Sequence, residues 1–315
     1  MVGFRDPYGL RPLQFGIKSP ESKDNKPAFG FASESTSLSI INFDEVRDME
    51  PGSAIFINEN KEMFEKKISH KPHRPCIFEY IYFARPDSNL NGINVYSSRV
   101  ELGKRLAKKI KSMKLDIDVV SPVPDSARTA AIEIARKLKL KYREGLVKNR
   151  YIGRTFIMPE NNERKSSINH KLNPIEGVFR DKNVLLIDDS IVRGNTSKAI
   201  VQMVRNAGAK KIIFASYSSP LTNPCFYGID MQTKGEFIAL DSSSNDIAKK
   251  IEADIVIYQD INDMEQAVRS QNKKIKSFCK ACFNGIYPTG DISKEMLEQI
   301  EKDRENNVKS KANAR

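Results

Sequence analysis

Two aspartates side by side, Asp188 and Asp189, are the residues of this chain best suited to chemistry. They close the run Val184-Leu185-Leu186-Ile187 and are followed by Ser190-Ile191-Val192-Arg193-Gly194-Asn195-Thr196-Ser197. Four consecutive apolar residues, two of them β-branched, predict a strand buried on both faces of a parallel sheet. From Lys198 a helical pattern starts, with Ile200, Val201 and Val204 on one face and Gly208 placed to end it. Strand, acidic pair, small-residue loop and helix N-terminus make an anion site. Backbone N–H groups and the helix dipole favour a phosphate there, and Gly194 lets the backbone approach it. The bland alternative is that the aspartates are turn residues and Thr196 or Ser197 merely caps the helix.

Cysteines form the second constellation. Cys76 and Cys225 are distant singles, while Cys279 and Cys282 make a close C-x-x-C. No signal peptide precedes them, so disulfides are disfavoured. A thioredoxin-like redox pair opens a helix, whereas Phe283-Asn284-Gly285 reads as a turn. Spacing leaves zinc, an iron–sulfur cluster and unligated core cysteines all open. His70, His73 and His170 have no metal-ligand spacing and receive no role.

The elements that must position these groups follow from the rest of the chain. A length of 315 residues suggests two domains, and 39% hydrophobic with 29% charged residues is a soluble globular composition. The net charge of +12 brings no recognisable nucleic-acid motif with it. Over 101–114, Leu102, Leu106, Ile110 and Met113 form an apolar helical stripe, with Lys104, Lys108, Lys109 and Lys111 mostly off it. No apolar run approaches membrane-spanning length, and Met1-Val2-Gly3-Phe4-Arg5 opens no secretory signal, so a cytoplasmic chain is expected. Short strands are predicted near 38–43 and over 54–57, the latter turning at Asn58-Glu59-Asn60 into 63–68. A linker at 70–75 precedes the apolar, aromatic run 76–88, which reads as strand. Val119-Val120-Ser121-Pro122 reads as a strand closing in the turn Val123-Pro124-Asp125-Ser126, before a helix over 129–138. Residues 145–159 mix cations, glycines and exposed aromatics and suit a mobile lid. Met296, Leu297 and Ile300 sit in a charged C-terminal helix that runs into a Lys- and Asn-rich tail.

The string 184–197 resembles the phosphoribosyl-pyrophosphate (PRPP) loop of the type I phosphoribosyltransferases. This implies that Asp188 and Asp189 meet ribose hydroxyls and Mg²⁺. It also implies that Ser190, Arg193, Gly194, Asn195, Thr196 and Ser197 cradle the 5′-phosphate. Asn195 stands where that family usually carries Thr. More specifically, residues 76–88, 121–127 and 145–159 resemble the glutamine PRPP amidotransferases. There the turn at Ser126 is a pyrophosphate loop with Ser126 as a Mg²⁺ neighbour, and the lid cations Lys148, Arg150 and Arg154 screen pyrophosphate. Cys225-Phe226-Tyr227-Gly228-Ile229-Asp230-Met231 and Phe278-Cys279-Lys280-Ala281-Cys282-Phe283 match the segments that supply ligands in the iron–sulfur subgroup. The resemblance thus implies a 4Fe–4S cluster on Cys76, Cys225, Cys279 and Cys282.

The front of the chain is similar to the tail of an N-terminal-nucleophile glutaminase domain. In that family the domain begins with a cysteine whose own α-amino group is its base. Here Met1 opens the chain and no cysteine precedes Cys76, so the front of that domain is expected to be absent and the glutaminase half inactive. The implied fold is a mainly parallel α/β phosphoribosyltransferase sheet preceded by a remnant of a mixed αββα glutaminase domain. Its expected boundaries are 1–70, 71–290 and a charged helix and tail at 291–315. The implied activity forms 5-phosphoribosylamine and pyrophosphate from PRPP and ammonia, or glutamine in the full-length family, at the start of purine synthesis. Purine nucleotides are implied as feedback inhibitors, with a homo-oligomer that is a tetramer in the family. Nucleic acid and membrane partners are not expected. Two alternatives compete: a PRPP-sensing regulator on the same fold, for which no DNA-binding module is present, and an inactive fragment of a disrupted gene.

Overall fold

The computed structural model describes residues 1–20, 22, 26–149, 172–229, 234–293, 295–299 and 302–303. The chain divides into two compact units. The first comprises Met1–Arg99, Pro224–Met231 and Glu265–Arg315, and the second Val100–Asn223 and Gln232–Met264. The boundaries expected at 70/71 and 290/291 both fall inside the first unit.

The first unit holds two small antiparallel sheets. Val2–Phe4 (β1), Ser53–Ile57 (β5) and Met63–Lys67 (β6) make one, in the order β1-β5-β6. Gln14–Lys18 (β2), Ala28–Ala32 (β3) and Glu45–Asp48 (β4) make the other, in the order β3-β2-β4. Phe15 of β2, Met49, and Ile55 and Ile57 of β5 share one buried cluster, so the two sheets pack on a common apolar core. The β5–β6 hairpin matches the expectation for 54–57 and 63–68.

Two expected strands are replaced by other structure. The run at 38–43 begins as the short helix Ser35–Ser39 (α1) and ends in a turn with Asn42 at φ 60. Its Leu38 and Phe43 lie over Gly16 and Gly30, whose missing side chains leave room on the β2–β3 ribbon. Packing, and no ladder, is what Leu38 offers.

The run at 76–88 pairs only at Cys76, in a parallel bridge with Cys279. It then tightens into a π-helical turn over Glu79–Phe83. Every residue from Pro75 to Ile81 is buried, so the segment carries no period that separates strand from helix. Aromatic packing decides instead: Phe78 lies 5.3 Å from Phe83 and 6.0 Å from Phe283, and Tyr80 meets Phe278 edge-on at 5.8 Å. The two-residue strands Asn89–Leu90 (β7) and Ile93–Asn94 (β8) follow as a small hairpin.

The second unit is built on a five-stranded parallel sheet. Its strands are Val119–Pro122 (β9), Lys141–Tyr142 (β10), Asn183–Asp188 (β13), Lys211–Ser216 (β14) and Ile255–Tyr258 (β15), in the order β10-β9-β13-β14-β15. Every neighbouring pair in it is parallel. Leu146–Lys148 (β11) and Leu172–Pro174 (β12) pair separately as an antiparallel ribbon. All six residues of β13 are buried, as a central parallel strand covered on both faces requires.

Val95–Ser112 (α2) and Arg128–Leu138 (α3) precede the central strand. Glu176–Phe179 (α4) leads into it, and Asn195–Asn206 (α5) and Ser244–Ile251 (α6) follow. The expected stripe on α2 is buried at Leu102, Leu106 and Ile110, whereas Met113 lies past the helix end and is exposed. On α5, Ile200, Val201 and Val204 are fully buried, and Gly208 beyond it takes φ 89. The chain runs from β9 outward to β10 and then crosses to β13 on the other side of β9. The strand order therefore reverses between β9 and β13, and a crevice opens beyond their carboxyl ends.

Gly103 on α2 faces α3 so closely that a Cβ would stand 2.7 Å from the carbonyl oxygen of Ala130, a backbone atom that cannot swing away. Gly103→Ala is therefore expected to lower stability by about 1–3 kcal/mol despite the higher helix propensity of alanine. Urea unfolding followed by circular dichroism measures this; an unchanged or raised midpoint would show that the helices can separate freely.

Candidate active site at the switch in strand order

β13 delivers Asp188 and Asp189 to this crevice, both buried. Their backbones are fixed by the neighbouring strand: the Tyr217 N–H donates to the Asp188 carbonyl at 3.1 Å, and the Ser218 N–H to that of Asp189 at 3.1 Å. Ser216 Oγ also donates to the Asp189 carbonyl, at 3.0 Å. The Asp189 carboxylate accepts from Ser190 Oγ at 2.6 Å and from Ser126 Oγ at 2.5 Å. Ser126 comes from the turn after β9, so the two strands flanking the switch are joined through this contact. Asp188 Oδ1 accepts the Asp189 N–H at 2.9 Å.

Burial, and then the neighbouring charge of Asp189, push the Asp188 carboxyl well above the usual carboxylate range; the Asp189 N–H opposes this. Two carboxyls in a site this dry call for a compensating cation or hydroxyl donors. The bland reading of the pair as turn residues does not predict burial of both.

The loop that follows is shaped by Gly194. It is the N-cap of α5 at φ 83, and no side chain caps that helix, so the alternative of a Thr196 or Ser197 cap is not realised. The first intrahelical bond runs from Lys198 N–H to the Gly194 carbonyl at 2.8 Å. The N–H groups of Asn195, Thr196 and Ser197 precede it in the first turn, where a helix has no internal acceptors for them. Asn195 and Thr196 are exposed and Ser197 is buried. A Cβ on Gly194 would stand 2.3 Å from Ile238 Cδ1. Ile238 is itself held by its N–H to the Val192 carbonyl at 2.9 Å. Glycine is favoured here by the left-handed backbone, and the nearest obstacle to a side chain is the movable tip of Ile238. Arg193 pairs with Glu236 at 3.2 Å.

Lys148, at the end of β11, reaches Asp125 at 2.8 Å, the residue next to Ser126. Arg128 also pairs with Asp125 at 2.8 Å and with Glu144 at 3.3 Å. Lys148 thus joins the same turn as Ser126. Arg150 and Arg154, with most of the expected lid, lie outside the described residues. Sequence reasoning placed Asp125 in the turn but missed its pairing with Arg128 and Lys148, and Glu144 joins them only through the fold.

The four cysteines all belong to the first unit. Cys76 and Cys279 are locked by backbone bonds: Ile77 N–H to the Cys279 carbonyl at 3.1 Å, and Cys279 N–H to the Pro75 carbonyl at 2.9 Å. The Tyr227 N–H donates to Cys225 Sγ at 3.3 Å. Burial raises the thiol of Cys76 and that of Cys282, and pushes Cys279 up to about 11. Neighbouring thiols add to each shift: Cys282 feels Cys76, Cys225 and Cys279. Contrary to the turn expected after it, Cys282 lies in the short helix Ala281–Asn284, and Gly285 at φ 70 ends that helix. The pair therefore does open a helix. Buried thiols with raised pKa are nonetheless the opposite of a reactive redox pair. Among the described residues no group of three or more His, Cys, Asp or Glu is arranged to hold a metal ion. A four-iron cube does not require that arrangement, because each iron takes one thiolate.

A parallel sheet with an acidic pair and a glycine-started helix at its order switch defines the type I phosphoribosyltransferase fold, and residues 95–220 match the phosphoribosyl transferase domain family. The homologues over nearly the whole chain are amidophosphoribosyltransferases: that of Pasteurella multocida is 49% identical over 99% of this chain, and that of Escherichia coli 46% over 98%. The chain spans 62% of each of these relatives. Among solved structures, the glutamine PRPP amidotransferase of B. subtilis, complexed with ADP and GMP, superposes with a TM-score of 0.78 at 39% identity. That match covers 94% of this chain and 64% of the other. The structure described as the allosteric regulatory enzyme of purine biosynthesis gives 0.79 at 39% identity, over 91% and 60%. No described helix is long and apolar enough to cross a membrane.

Because the folded state raises the Asp188 carboxyl above its unfolded value, this group costs stability once ionised, and the cost vanishes where it is protonated. Asp188→Asn is therefore expected to melt higher than the parent at about pH 8, with the two curves converging toward about pH 4. Thermal melts across that range measure it; a variant that melts lower at every pH would show that the carboxylate is compensated within the protein.

Proposed function

We propose that the second unit transfers the phosphoribosyl group of PRPP to ammonia, giving 5-phosphoribosylamine and pyrophosphate. The observation that carries this reading is the buried Asp188–Asp189 pair at the order switch, followed directly by the glycine-started helix N-terminus. The names of the relatives support the same reaction. In this reading Asp188 and Asp189 bind the ribose hydroxyls and Mg²⁺, with Ser126 alongside. Ser190, Arg193, Gly194, Asn195, Thr196 and Ser197 receive the 5′-phosphate. Lys148 approaches the pyrophosphate, as do Arg150 and Arg154 from outside the described residues. Two buried carboxylates beside a hydroxyl are a hard-oxygen donor set that fits Mg²⁺, which would supply charge neutralisation at the leaving pyrophosphate. Residues 1–70 are read as the C-terminal part of a glutaminase domain. Purine nucleotides as inhibitors and a homo-oligomeric assembly belong to the same proposal.

Asp188→Asn with Asp189→Asn is expected to abolish turnover of PRPP with ammonia in a folded protein. Each lost charge-assisted contact is worth about 1.5–3 kcal/mol, roughly tenfold or more in rate. Pyrophosphate release measures this. Unchanged kinetics in the double variant would sink the assignment, and PRPP binding without any turnover by the parent would favour the regulator.

We also propose that Cys76, Cys225, Cys279 and Cys282 hold a 4Fe–4S cluster. Four sulfurs drawn from three separate stretches, with Cys282 feeling the other three, form a soft donor set that fits it. A bound cluster would supply a cross-link between those stretches and relieve the charge cost of thiolates. Anaerobically purified protein is expected to be brown, with about four irons per chain, and any single Cys→Ser change to lose iron and stability together. Zinc, or four titratable thiols in a stable colourless protein, would overturn the cluster.

A further inference from the structure

Tyr217 follows β14 directly and is one of the largest side chains of the protein to be wholly buried. Phenylalanine would fill the same space, and a buried phenolic hydroxyl costs stability unless it is bonded. The Tyr217 hydroxyl donates to the Ser126 carbonyl at 3.3 Å. Because the sheet runs β9-β13-β14, this side chain reaches past β13 to the turn that follows β9. At its other end the Tyr217 N–H donates to the Asp188 carbonyl at 3.1 Å. Ser126 Oγ donates to the Asp189 carboxylate at 2.5 Å. Tyr217, Ser126, Asp189 and Asp188 therefore close a ring of contacts that spans three neighbouring strands of one unit.

We propose that Tyr217 is a positioning residue: its hydroxyl braces the Ser126 turn against the acidic pair and so sets how the two halves of the PRPP site face each other. The turn needs such a brace. Its main chain is anchored to β13 at Val123, whose N–H donates to the Ile187 carbonyl at 2.8 Å. Pro124 has no N–H to offer, and two residues further on it is the carbonyl of Ser126 that Tyr217 holds. The Ser126 hydroxyl alone fixes only a rotatable side chain, whereas the Tyr217 contact fixes the main chain that carries it. The role toward PRPP rests on the phosphoribosyl-transfer reading; the brace itself does not.

The test is Tyr217→Phe in the full chain, which keeps the ring and removes the hydroxyl. Tyr258→Phe is the control, because the buried Tyr258 hydroxyl of the same unit has no hydrogen-bond partner among the described residues. Hydrogen–deuterium exchange without ligand is expected to quicken roughly threefold or more over 123–128 in Tyr217→Phe, and to stay unchanged there in Tyr258→Phe. Titration calorimetry with Mg²⁺ and PRPP is expected to show affinity lowered roughly three- to tenfold by Tyr217→Phe, the range of one hydrogen bond, and unchanged by Tyr258→Phe. Added to Ser126→Ala, Tyr217→Phe should cost nothing further, since it acts through Ser126. Unchanged exchange, an equal effect of Tyr258→Phe, or additive losses in the double variant would overturn the brace. Faster exchange with unchanged PRPP affinity would overturn the positioning role. A parent that binds no PRPP while the exchange difference is present removes the phosphoribosyl-transfer reading and leaves the brace.

Discussion

The burial of two adjacent carboxyls at the end of β13 is the constraint on which the second unit depends. Asp188 ends a strand with no exposed residue and Asp189 follows it, so both carboxyls are held in the interior with the sheet. The protein holds them with directed hydrogen bonds: Ser126 and Ser190 onto the Asp189 carboxylate, Tyr217 and Ser218 onto the two carbonyls. Among the described residues, burial and Asp189 dominate what shifts the Asp188 carboxyl, and no cation figures in it. Buried carboxyls raised in this way mark the end of β13 as a candidate functional site.

The surrounding architecture reads as the support for that pair. Reversal of strand order between β9 and β13 is what brings the Ser126 turn beside Asp189. Gly194 then carries the chain through a left-handed conformation into α5, with Ile238 filling the space where a side chain would be. The first turn of α5 is left uncapped by side chains, so its N–H groups keep their capacity to bind an anion. Lys148 enters through a chain of charges, Asp125 and Arg128, and these surface pairs orient it at little energetic gain.

In the first unit the equivalent constraint is sulfur. Cys76 and Cys279 are set by main-chain bonds on both sides, so their separation is fixed by the backbone before any metal is considered. Around them Phe78, Tyr80, Phe278 and Phe283 interlock, and Glu265 meets both the Phe278 N–H and Lys280. This packing explains why residues 76–88 fold as a bridge and a π-helical turn. The segment's buried, aromatic-rich first half, 76–81, has no periodicity of its own to read, and its partners here lie some two hundred positions away in the chain.

The sequence by itself determined the strand 184–187, the helix after Gly194, the hairpin at 54–68 and the identity of the acidic and cysteine constellations. Each is a local signal: apolar runs, a glycine where φ must be positive, adjacent carboxylates, a C-x-x-C. Tertiary structure alone decided that Ser126 meets Asp189, that Lys148 reaches Asp125, and that Gly194 is packed by Ile238. It alone showed that Cys282 lies in a helix and that Leu38 belongs to a helix and no strand. Those facts depend on which distant segments become neighbours, and strand order and register set that, with burial deciding what each side chain then meets.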